Sequence, residues 1–315
     1  MIPTAMTLRI AGRQRLADDI FGFELRRADG GELAEFTAGA HVQVGTPNGL
    51  LRKYSLCNDP AERHRYVVAV KRESAGGGSA SLIDNANIGA SLEVSAPRNN
   101  FGLAKSSAGY LFIAGGIGIA PILSMIRQLR SGGGRFKLYY CTRAPELTAF
   151  RDELGAPGFR DQVTIHHDGG DPARALDLWP ILERPQGAQL YCCGPQGMMQ
   201  AVRDMTGHWS SASVHFEAFT EPARSRPEDR AFKVRLAKSG AVVEVPVGTT
   251  ILEALRAHGL TVPSSCESGT CGTCRTRLLQ GEADHRDLVL SDAERADHIM
   301  VCVSRARSDE IAIDR

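Results

Sequence analysis

The stretch Cys266-Glu267-Ser268-Gly269-Thr270-Cys271-Gly272-Thr273-Cys274 places three cysteines in one short loop, and Cys302 adds a fourth further along the chain. The spacing C-x4-C-x2-C with a distant fourth cysteine matches a [2Fe-2S] ligand set, in which four thiolates hold two irons. Gly269 and Gly272 allow the backbone to curl so that several N–H groups point toward the sulfurs. The sequence therefore predicts an iron–sulfur site whose ligands are Cys266, Cys271, Cys274 and Cys302.

A four-cysteine zinc site is the alternative for this loop, because zinc sites also use C-x2-C pairs. Zinc ligands usually come as two such pairs, whereas this loop presents a closely grouped set of three cysteines. The spacing favours iron–sulfur over zinc.

Length and composition restrict the class of protein. A chain of 315 residues is too long for one core and predicts two or three domains. The 37 basic and 36 acidic residues nearly balance, which argues against a nucleic-acid partner. No apolar run approaches the roughly 20 residues needed to span a membrane, and no secretory signal is visible at the N-terminus. We therefore expect a cytoplasmic protein without a membrane partner, whose cysteines are thiols or metal ligands.

Residues 1–105 contain short β-like runs separated by Gly, Pro, Asn and Asp, which predict a closed antiparallel barrel. The segment Arg52-Lys53-Tyr54-Ser55 offers a cation, an aromatic ring and a hydroxyl, which are groups suited to a flavin. The segment Ala69-Val70-Lys71-Arg72-Glu73 leads to Gly76-Gly77-Gly78-Ser79 at the start of a helix, where free N–H groups favour a phosphate. Each segment alone could equally be an ordinary strand or a glycine-rich loop.

From residue 106 to residue 222, strand-like and helical runs alternate, and one helical run is predicted at Leu147–Leu154. This alternation predicts a parallel sheet with ligands at the carboxyl ends of its strands. Gly115-Gly116-Ile117-Gly118-Ile119-Ala120-Pro121 follows a strand and opens a helix, so its backbone can approach a pyrophosphate closely. Tyr191-Cys192-Cys193-Gly194-Pro195 closes the last strand of the region.

The remaining chain is predicted to be a linker and a third domain. Residues 223–230 lie in a charged, proline-containing stretch that is typical of a solvated linker. Residues 231–315 include Lys238-Ser239-Gly240, a hairpin signal, and Thr250 with Glu253, a capping box. This domain of about 85 residues would enclose one cluster.

With these motifs in the same order, the chain resembles the phthalate dioxygenase reductase family, which supplies electrons to Rieske-type oxygenases. Residues 231–315 resemble a plant-type ferredoxin. The resemblance implies a multidomain fold with an antiparallel β-barrel flavin domain, an α/β parallel-sheet nucleotide domain and an α+β ferredoxin domain of the β-grasp type.

The resemblance also implies roles for individual residues. Cys193 occupies the position of a cysteine beside the nicotinamide, Glu217 would lie near the flavin N5 atom, and Phe219 would cover the flavin until nicotinamide displaces it. The flavin site would include Arg52, Tyr54, Ser55, Val70, Lys71, Gly77, Gly78 and Ser79. The nucleotide site would include Gly115, Gly116, Gly118, Pro121, Gly194 and Pro195.

The implied function is that of an NADH-dependent reductase that uses FMN and a [2Fe-2S] cluster to supply a partner Rieske-type oxygenase in aromatic catabolism. FAD stays open as the flavin. NADPH stays open as the donor, because Arg143 could meet a 2′-phosphate whereas Asp168 and Asp171 would repel one. The rival functions are a self-contained flavin oxidoreductase with its own small-molecule substrate, and a non-enzymatic cluster-binding module that leaves the nucleotide motifs unexplained.

Overall fold

The computed structural model describes residues 5–73, 77–159, 161–219 and 226–315. The chain divides into two compact units, residues 1–198 and residues 199–315. The finer division at residues 105, 222 and 231 stays a prediction.

The first unit begins with a six-stranded antiparallel sheet. Its strands are β1 (Met6–Ala17), β2 (Ile20–Arg26), β3 (His41–Gly45), β4 (Leu51–Ser55), β5 (Tyr66–Lys71) and β6 (Ser91–Val94). They follow the order β4-β3-β6-β1-β2-β5. A bridge between Leu56 and Val68 joins the chain just after β4 to β5, which closes the sheet into the predicted barrel.

Alternation along the strands fills the interior of this barrel. Tyr66, Val68 and Val70 on β5 are all buried, as expected for every second residue of a strand that faces a core. The helix α1 (Gly78–Asn85) lies between β5 and β6 in the chain and begins directly after Gly77.

The rest of the first unit contains four parallel strands of a second sheet. They are β7 (Tyr110–Gly115), β8 (Phe136–Thr142), β9 (Val163–His167) and β10 (Gln189–Cys193), in the order β10-β7-β8-β9. The helices that follow these strands are α2 (Ile119–Ser131), α3 (Arg151–Leu154), α4 (Trp179–Leu182) and α5 (Gln196–Met205), the last of which extends into the second unit. The carboxyl ends of β7 and β10 are therefore neighbours, as the glycine motifs require.

The helix predicted over Leu147–Leu154 is wrong in its first half. A 3-10 turn covers Pro145–Leu147, and α3 begins only at Arg151. Phe150 has the left-handed φ of 59°, which a continuing helix cannot contain. The Thr148 hydroxyl donates to the carbonyl of Ala144 over 2.9 Å, so this threonine stabilises a turn.

The second unit contains a mixed five-stranded sheet in the order β13-β12-β18-β14-β16. Strands β12 and β18 are parallel, and the other pairs are antiparallel. The elements of this unit are β11 (Val214–Glu217), β12 (Phe232–Leu236), β13 (Val242–Val245), α6 (Ile251–Ala257), β14 (Arg275–Gln280), β15 (Ala283–Asp284), β16 (His298–Met300), β17 (Arg305–Ala306) and β18 (Glu310–Ile313).

Local sequence signals in this unit are confirmed. Gly240 has a φ of 72° in the turn that joins the antiparallel strands β12 and β13. Thr250 Oγ1 accepts from the N–H of Glu253 over 3.1 Å, and the Glu253 carboxylate accepts from the N–H of Thr250 over 2.9 Å. Both halves of the predicted capping box are therefore present at the start of α6.

The linker is more ordered at its end than its composition suggests. Residues 223–225 lie outside the described residues, but the Asp229 side chain is only 2% exposed and accepts two hydrogen bonds from Arg286. Arg286 also pairs with Asp284 over 2.6 Å, and Arg305 Nε lies 3.8 Å from Asp229. Partners far along the chain thus bury a charge that composition alone assigns to solvent.

Among the described residues, no helix has both the length and the apolar character that a membrane crossing needs.

Candidate functional site

The four predicted cluster ligands lie in the second unit and form two pairs. The N–H of Cys266 points at Cys271 Sγ over 3.5 Å, and each of these two thiols shifts the pKa of the other. Cys274 and Cys302 likewise lie close enough for each thiol to shift the pKa of the other. The distant cysteine therefore reaches the loop, and each pair has the composition of the two thiolate ligands on one iron of a binuclear cluster.

Backbone and hydroxyl groups of the loop point toward these sulfurs. The N–H of Ser268 donates to Cys266 Sγ over 3.4 Å, and Thr273 Oγ1 lies 3.2 Å from Cys271 Sγ. The interaction with Cys271, followed by hydrogen bonds from Ser268, lowers the pKa of the Cys266 thiol, and the same interaction raises the pKa of Cys271. N–H and hydroxyl groups that point at a sulfur favour the thiolate, which is the form that binds iron.

The two loop glycines are required by their conformation. Gly269 has a φ of 75°, and a Cβ there would lie 2.8 Å from Val303 Cγ2 and 3.2 Å from Asp287 Cα. Gly272 has a φ of 79°. Other residues would strain both positions, and at Gly269 a side chain would also displace the neighbouring segment.

The thiol pairs have the composition that a binuclear cluster needs. Cys266 with Cys271 and Cys274 with Cys302 would supply two thiolates to each of two irons, so the described residues fit a [2Fe-2S] cluster.

The predicted flavin residues of the barrel lie on and beside β4. Tyr54 Oη and Ser55 Oγ are buried, and neither has a hydrogen-bond partner among the described residues. Burial raises the pKa of Tyr54 to about 12, so its hydroxyl keeps its proton. Because buried polar groups normally have partners, these two hydroxyls fit the polar edge of a bound ligand.

Helix α1 brings the glycine motif next to Arg52. A Cβ on Gly78 would lie 2.8 Å from Arg52 Cγ, so the first turn of the helix packs directly on this side chain. Gly77 is the N-cap, and among the described residues no side chain caps the first N–H groups of α1. An arginine beside a helix start is suited to a phosphate group.

The remaining members of the predicted flavin set have other surroundings. Ser79 Oγ accepts from the N–H of Glu73 over 3.1 Å, which holds the end of the glycine loop. The Val70 side chain is buried in the barrel, and Lys71 Nζ lies 3.5 Å from Asp19. Gly76 lies outside the described residues. The assignment of these residues to the flavin stays a prediction.

The two predicted nucleotide segments meet at the carboxyl ends of β7 and β10. A Cβ on Gly118 would lie only 2.0 Å from the carbonyl oxygen of Cys193, and a Cβ on Gly115 would lie 2.5 Å from Pro195 Cδ. Gly194 Cβ would lie 3.0 Å from Gly115 Cα. The backbones of both segments therefore touch where no side chain could fit.

Gly116 differs from these glycines because open space surrounds the position of its missing side chain. Its φ is 52°, and a Cβ there would have no atom within 4 Å. The 3-10 turn Gly116–Gly118 leads into α2, and Pro121 occupies its first turn. A helix start that follows such a glycine turn is suited to a pyrophosphate.

The three predicted catalytic residues are distributed over both units. Cys193 is buried at the end of β10 in the first unit. Glu217 ends β11 in the second unit, and Phe219 is 44% exposed there. The roles of all three residues stay predictions.

Two groups of residues around these sites have no sequence motif. Arg127 and Ser124 on α2 hydrogen bond to the chain that follows β4, and Asp229 is held by Arg286. The only available signal was a polar residue inside an otherwise apolar helical run, which does not identify a partner.

A flavin-suited barrel, a glycine-lined parallel sheet and a loop with two cysteine pairs define the class of iron–sulfur flavin reductases. A sequence profile of the 2Fe-2S iron-sulfur cluster binding domain matches residues 234–307. The chain is 54% identical over 312 residues to a phthalate dioxygenase reductase of Burkholderia cepacia, covering 98% of this chain and 97% of that protein. It is 52% identical over 310 residues to the phthalate 4,5-dioxygenase oxygenase reductase subunit of Pseudomonas putida, covering 98% and 96%.

The solved structure of a phthalate dioxygenase reductase, described as modular for electron transfer from pyridine nucleotides to [2Fe-2S], matches with a TM-score of 0.70 and 53% identity. The match covers 99% of this chain and 98% of that chain. The chain belongs to the phthalate dioxygenase reductase family. The predicted family, multidomain fold class, oxidoreductase class and [2Fe-2S] cofactor are thereby confirmed.

Proposed function

We propose that this protein is the reductase component of a Rieske-type oxygenase system, passing electrons from NADH through FMN and a [2Fe-2S] cluster to a partner oxygenase. The observation that carries the proposal is near full-length similarity to two such reductases, in a chain whose cluster ligands form two thiol pairs. The bound flavin would accept a hydride and release electrons singly, which suits a donor of electron pairs and an acceptor of single electrons.

The flavin site is proposed from the charges and unfilled hydrogen bonds of the barrel. Arg52 and the first N–H groups of α1 would hold the phosphate. Tyr54 Oη and Ser55 Oγ would donate to the polar edge of the ring, which satisfies two buried hydroxyls. FMN is proposed by analogy with the family, in which members with this domain order lack an adenosine site.

The nucleotide site is proposed at the ends of β7 and β10. N–H groups after Gly116 would bind the pyrophosphate, and Cys193 would shape the nicotinamide pocket. Asp168 and Asp171 follow β9 at the same edge as Arg143, whose carbonyl accepts from Gly169 over 2.9 Å. The two carboxylates would repel a 2′-phosphate, and the family analogy favours NADH, so NADH is the proposed donor.

The relatives support the proposed partner, and the cysteines support the proposed location. An oxygenase partner is supported by the relatives, and the finer proposal is a Rieske-type oxygenase acting on an aromatic acid. A cytoplasmic location is proposed because none of the eight cysteines is paired in a disulfide, as expected for a reducing compartment.

The test uses the purified protein with its cofactors bound. We expect iron–sulfur absorbance, one flavin that is released on denaturation and identified as FMN by chromatography, and rapid NADH-dependent reduction of cytochrome c without an organic substrate. NADPH should give a much lower kcat/KM. Iron–sulfur bands without a released flavin would overturn the proposal, and a requirement for an organic substrate would favour a self-contained enzyme.

The partner is tested separately with a purified Rieske-type oxygenase that acts on an aromatic carboxylate. We expect NADH-dependent turnover of the aromatic acid only when both proteins are present. Cytochrome c reduction without any oxygenase turnover across a panel of such enzymes would reject the proposed partner while leaving the reductase activity in place.

A further inference from the structure

Helix α2 joins the two proposed ligand sites of the first unit. Its N-terminus continues the glycine turn Gly116–Gly118. Its side faces residues 57–59, the segment that follows the flavin motif on β4. A helix is a stiff element, so contacts along its side relate the position of one site to the other.

Three polar side chains on one face of α2 make these contacts. Ser124 Oγ donates to the carbonyl of Asn58 over 2.8 Å, and Arg127 Nη1 donates to the carbonyl of Cys57 over 2.8 Å. Ser131 Oγ donates to the Asp59 carboxylate over 2.7 Å. Spacings of three and four residues place all three donors on the same side of the helix.

The accepting segment is itself fixed to the barrel. The N–H of Cys57 donates to the carbonyl of Val67 over 2.8 Å. The Asn58 side chain accepts from the N–H of Val67 over 2.9 Å and donates to the carbonyl of Arg65 over 3.0 Å. Cys57, Asn58 and Ser124 are fully buried, so loss of a donor would leave a carbonyl without water to replace it.

Arg127 is also fixed from its other side. Its Nε and Nη2 atoms donate to the two oxygens of Glu153 over 2.9 and 2.6 Å, and its guanidinium lies 5.7 Å from the Phe150 ring centroid. The left-handed Phe150 and the interrupted helix before α3 accompany this arrangement. Because the Glu153 carboxylate holds Nε and Nη2 of the guanidinium, the third nitrogen, Nη1, is directed toward the Cys57 carbonyl.

We propose that Arg127, assisted by Ser124, is a positioning residue that sets the distance between the nicotinamide and flavin sites. This inference depends on the proposed function, because it assigns the residues that align the hydride donor and acceptor. Hydride transfer requires reacting atoms about 3–3.5 Å apart, and displacement by about 1 Å can lower the rate about 100-fold. Neither side chain needs to touch a ligand for this effect.

The test compares Arg127→Met, which keeps the apolar stem, with Arg130→Met on the same helix. Arg130 is exposed and packs over the Phe159 ring at 4.2 Å, and among the described residues it makes no hydrogen bond to residues 57–59. In single-turnover experiments with the holoprotein, we expect Arg127→Met to slow flavin bleaching by NADH at least tenfold. The rate of flavin bleaching in Arg130→Met should stay within twofold of the rate in the unchanged protein.

Three further measurements separate positioning from a general structural effect. The Kd of NADH should change less than threefold, the rate of cluster reduction by dithionite should be unchanged, and the isotope effect with 4-deuterated NADH should increase. Glu153→Gln, which releases the fork but retains Arg127, should give a smaller decrease in the same rate. If Arg127→Met does not fold, Ser124→Ala is measured instead, with an expected decrease of at least threefold.

A bleaching rate within twofold of the unchanged protein in a folded Arg127→Met or, failing that, Ser124→Ala variant would overturn the inference. If NADH does not bleach a flavin in the unchanged protein, the proposed function itself fails. The two failures are therefore distinguishable in one experiment.

Discussion

The cysteine loop and the proposed nucleotide site would bind their ligands in opposite ways. Three of the four cluster ligands fall within residues 266–274, and left-handed glycines shape the backbone between them. The proposed nucleotide site instead joins Gly118 to Cys193, 75 positions later, through a backbone contact that excludes any side chain. The first site depends on the chemistry of individual side chains, whereas the second depends on glycines that leave no side chain between two backbone segments.

Cys271→Ser tests whether the cysteine loop depends on its individual thiols, and it has the largest expected effect. An alcohol at this position is a poor substitute for a thiolate, so we expect loss of the [2Fe-2S] absorbance and of electron transfer to cytochrome c or an oxygenase. NADH should still bleach the flavin at close to the normal rate, measured by stopped-flow absorbance. Cys141→Ser is the control and should retain the cluster, and failure of flavin reduction in a folded Cys271→Ser protein would contradict the proposed order of transfer.

Gly118→Ala tests whether the proposed nucleotide site depends on the close backbone contact at this glycine. The added methyl group would lie 2.0 Å from the Cys193 oxygen and 2.9 Å from the Gly194 nitrogen, both of which are backbone atoms. We expect a loss of about 3 kcal/mol in unfolding free energy, together with weaker NADH binding measured by titration.

Gly197→Ala is the matched control for this substitution, because a Cβ there has no atom within 4 Å. Its stability should be unchanged or about 1 kcal/mol higher, since alanine favours a helix over glycine. Equal stabilities of the two variants would show that the Gly118 contact does not constrain the site.

Asp229→Asn tests whether a buried charge pair stabilises the second unit as strongly as a backbone contact stabilises the first. Removal of the carboxylate leaves Arg286 with only Asp284, and we expect a loss of about 3 kcal/mol in denaturant unfolding. Asp309→Asn is the control, because Asp309 is 91% exposed and its pair with Arg230 should contribute at most about 0.5 kcal/mol.

The same pair predicts a pH dependence. The hydrogen bond from Arg286 lowers the folded-state pKa of Asp229 below its ordinary value. Its contribution is therefore complete at pH 7 and is lost as the pH falls below about 4, through the lowered folded-state pKa. The stability difference between Asp229→Asn and the unchanged protein should shrink over that range, and a difference that persists at pH 2 would contradict this assignment.

The smallest expected effect belongs to Thr250→Ala at the start of α6. Loss of the capping bond to Glu253 should lower the unfolding free energy by about 1 kcal/mol, without change in the cluster spectrum. Thr249→Ala, one residue earlier, should have little effect. A loss above about 3 kcal/mol would show that the cap also supports the cysteine loop.

The accuracy of the sequence predictions follows the distance between interacting residues. The capping box of Thr250 and the turn at Gly240 were predictable, because both depend on neighbours within a few positions. The helix predicted from Leu147 was wrong because its period did not reveal the left-handed Phe150. The burial of Asp229 could not be predicted, because its partner Arg286 lies 57 positions away.

The sequence by itself determined the cluster chemistry, the order of barrel and parallel sheet, and the glycine positions, because local spacing restricts backbone conformation and ligand type. Only the tertiary structure decided that Cys302 pairs with Cys274, that Gly118 touches Cys193, and that Arg127 reaches Cys57. Those contacts depend on how separate elements pack, and packing is set by the shape of each folded unit as a whole.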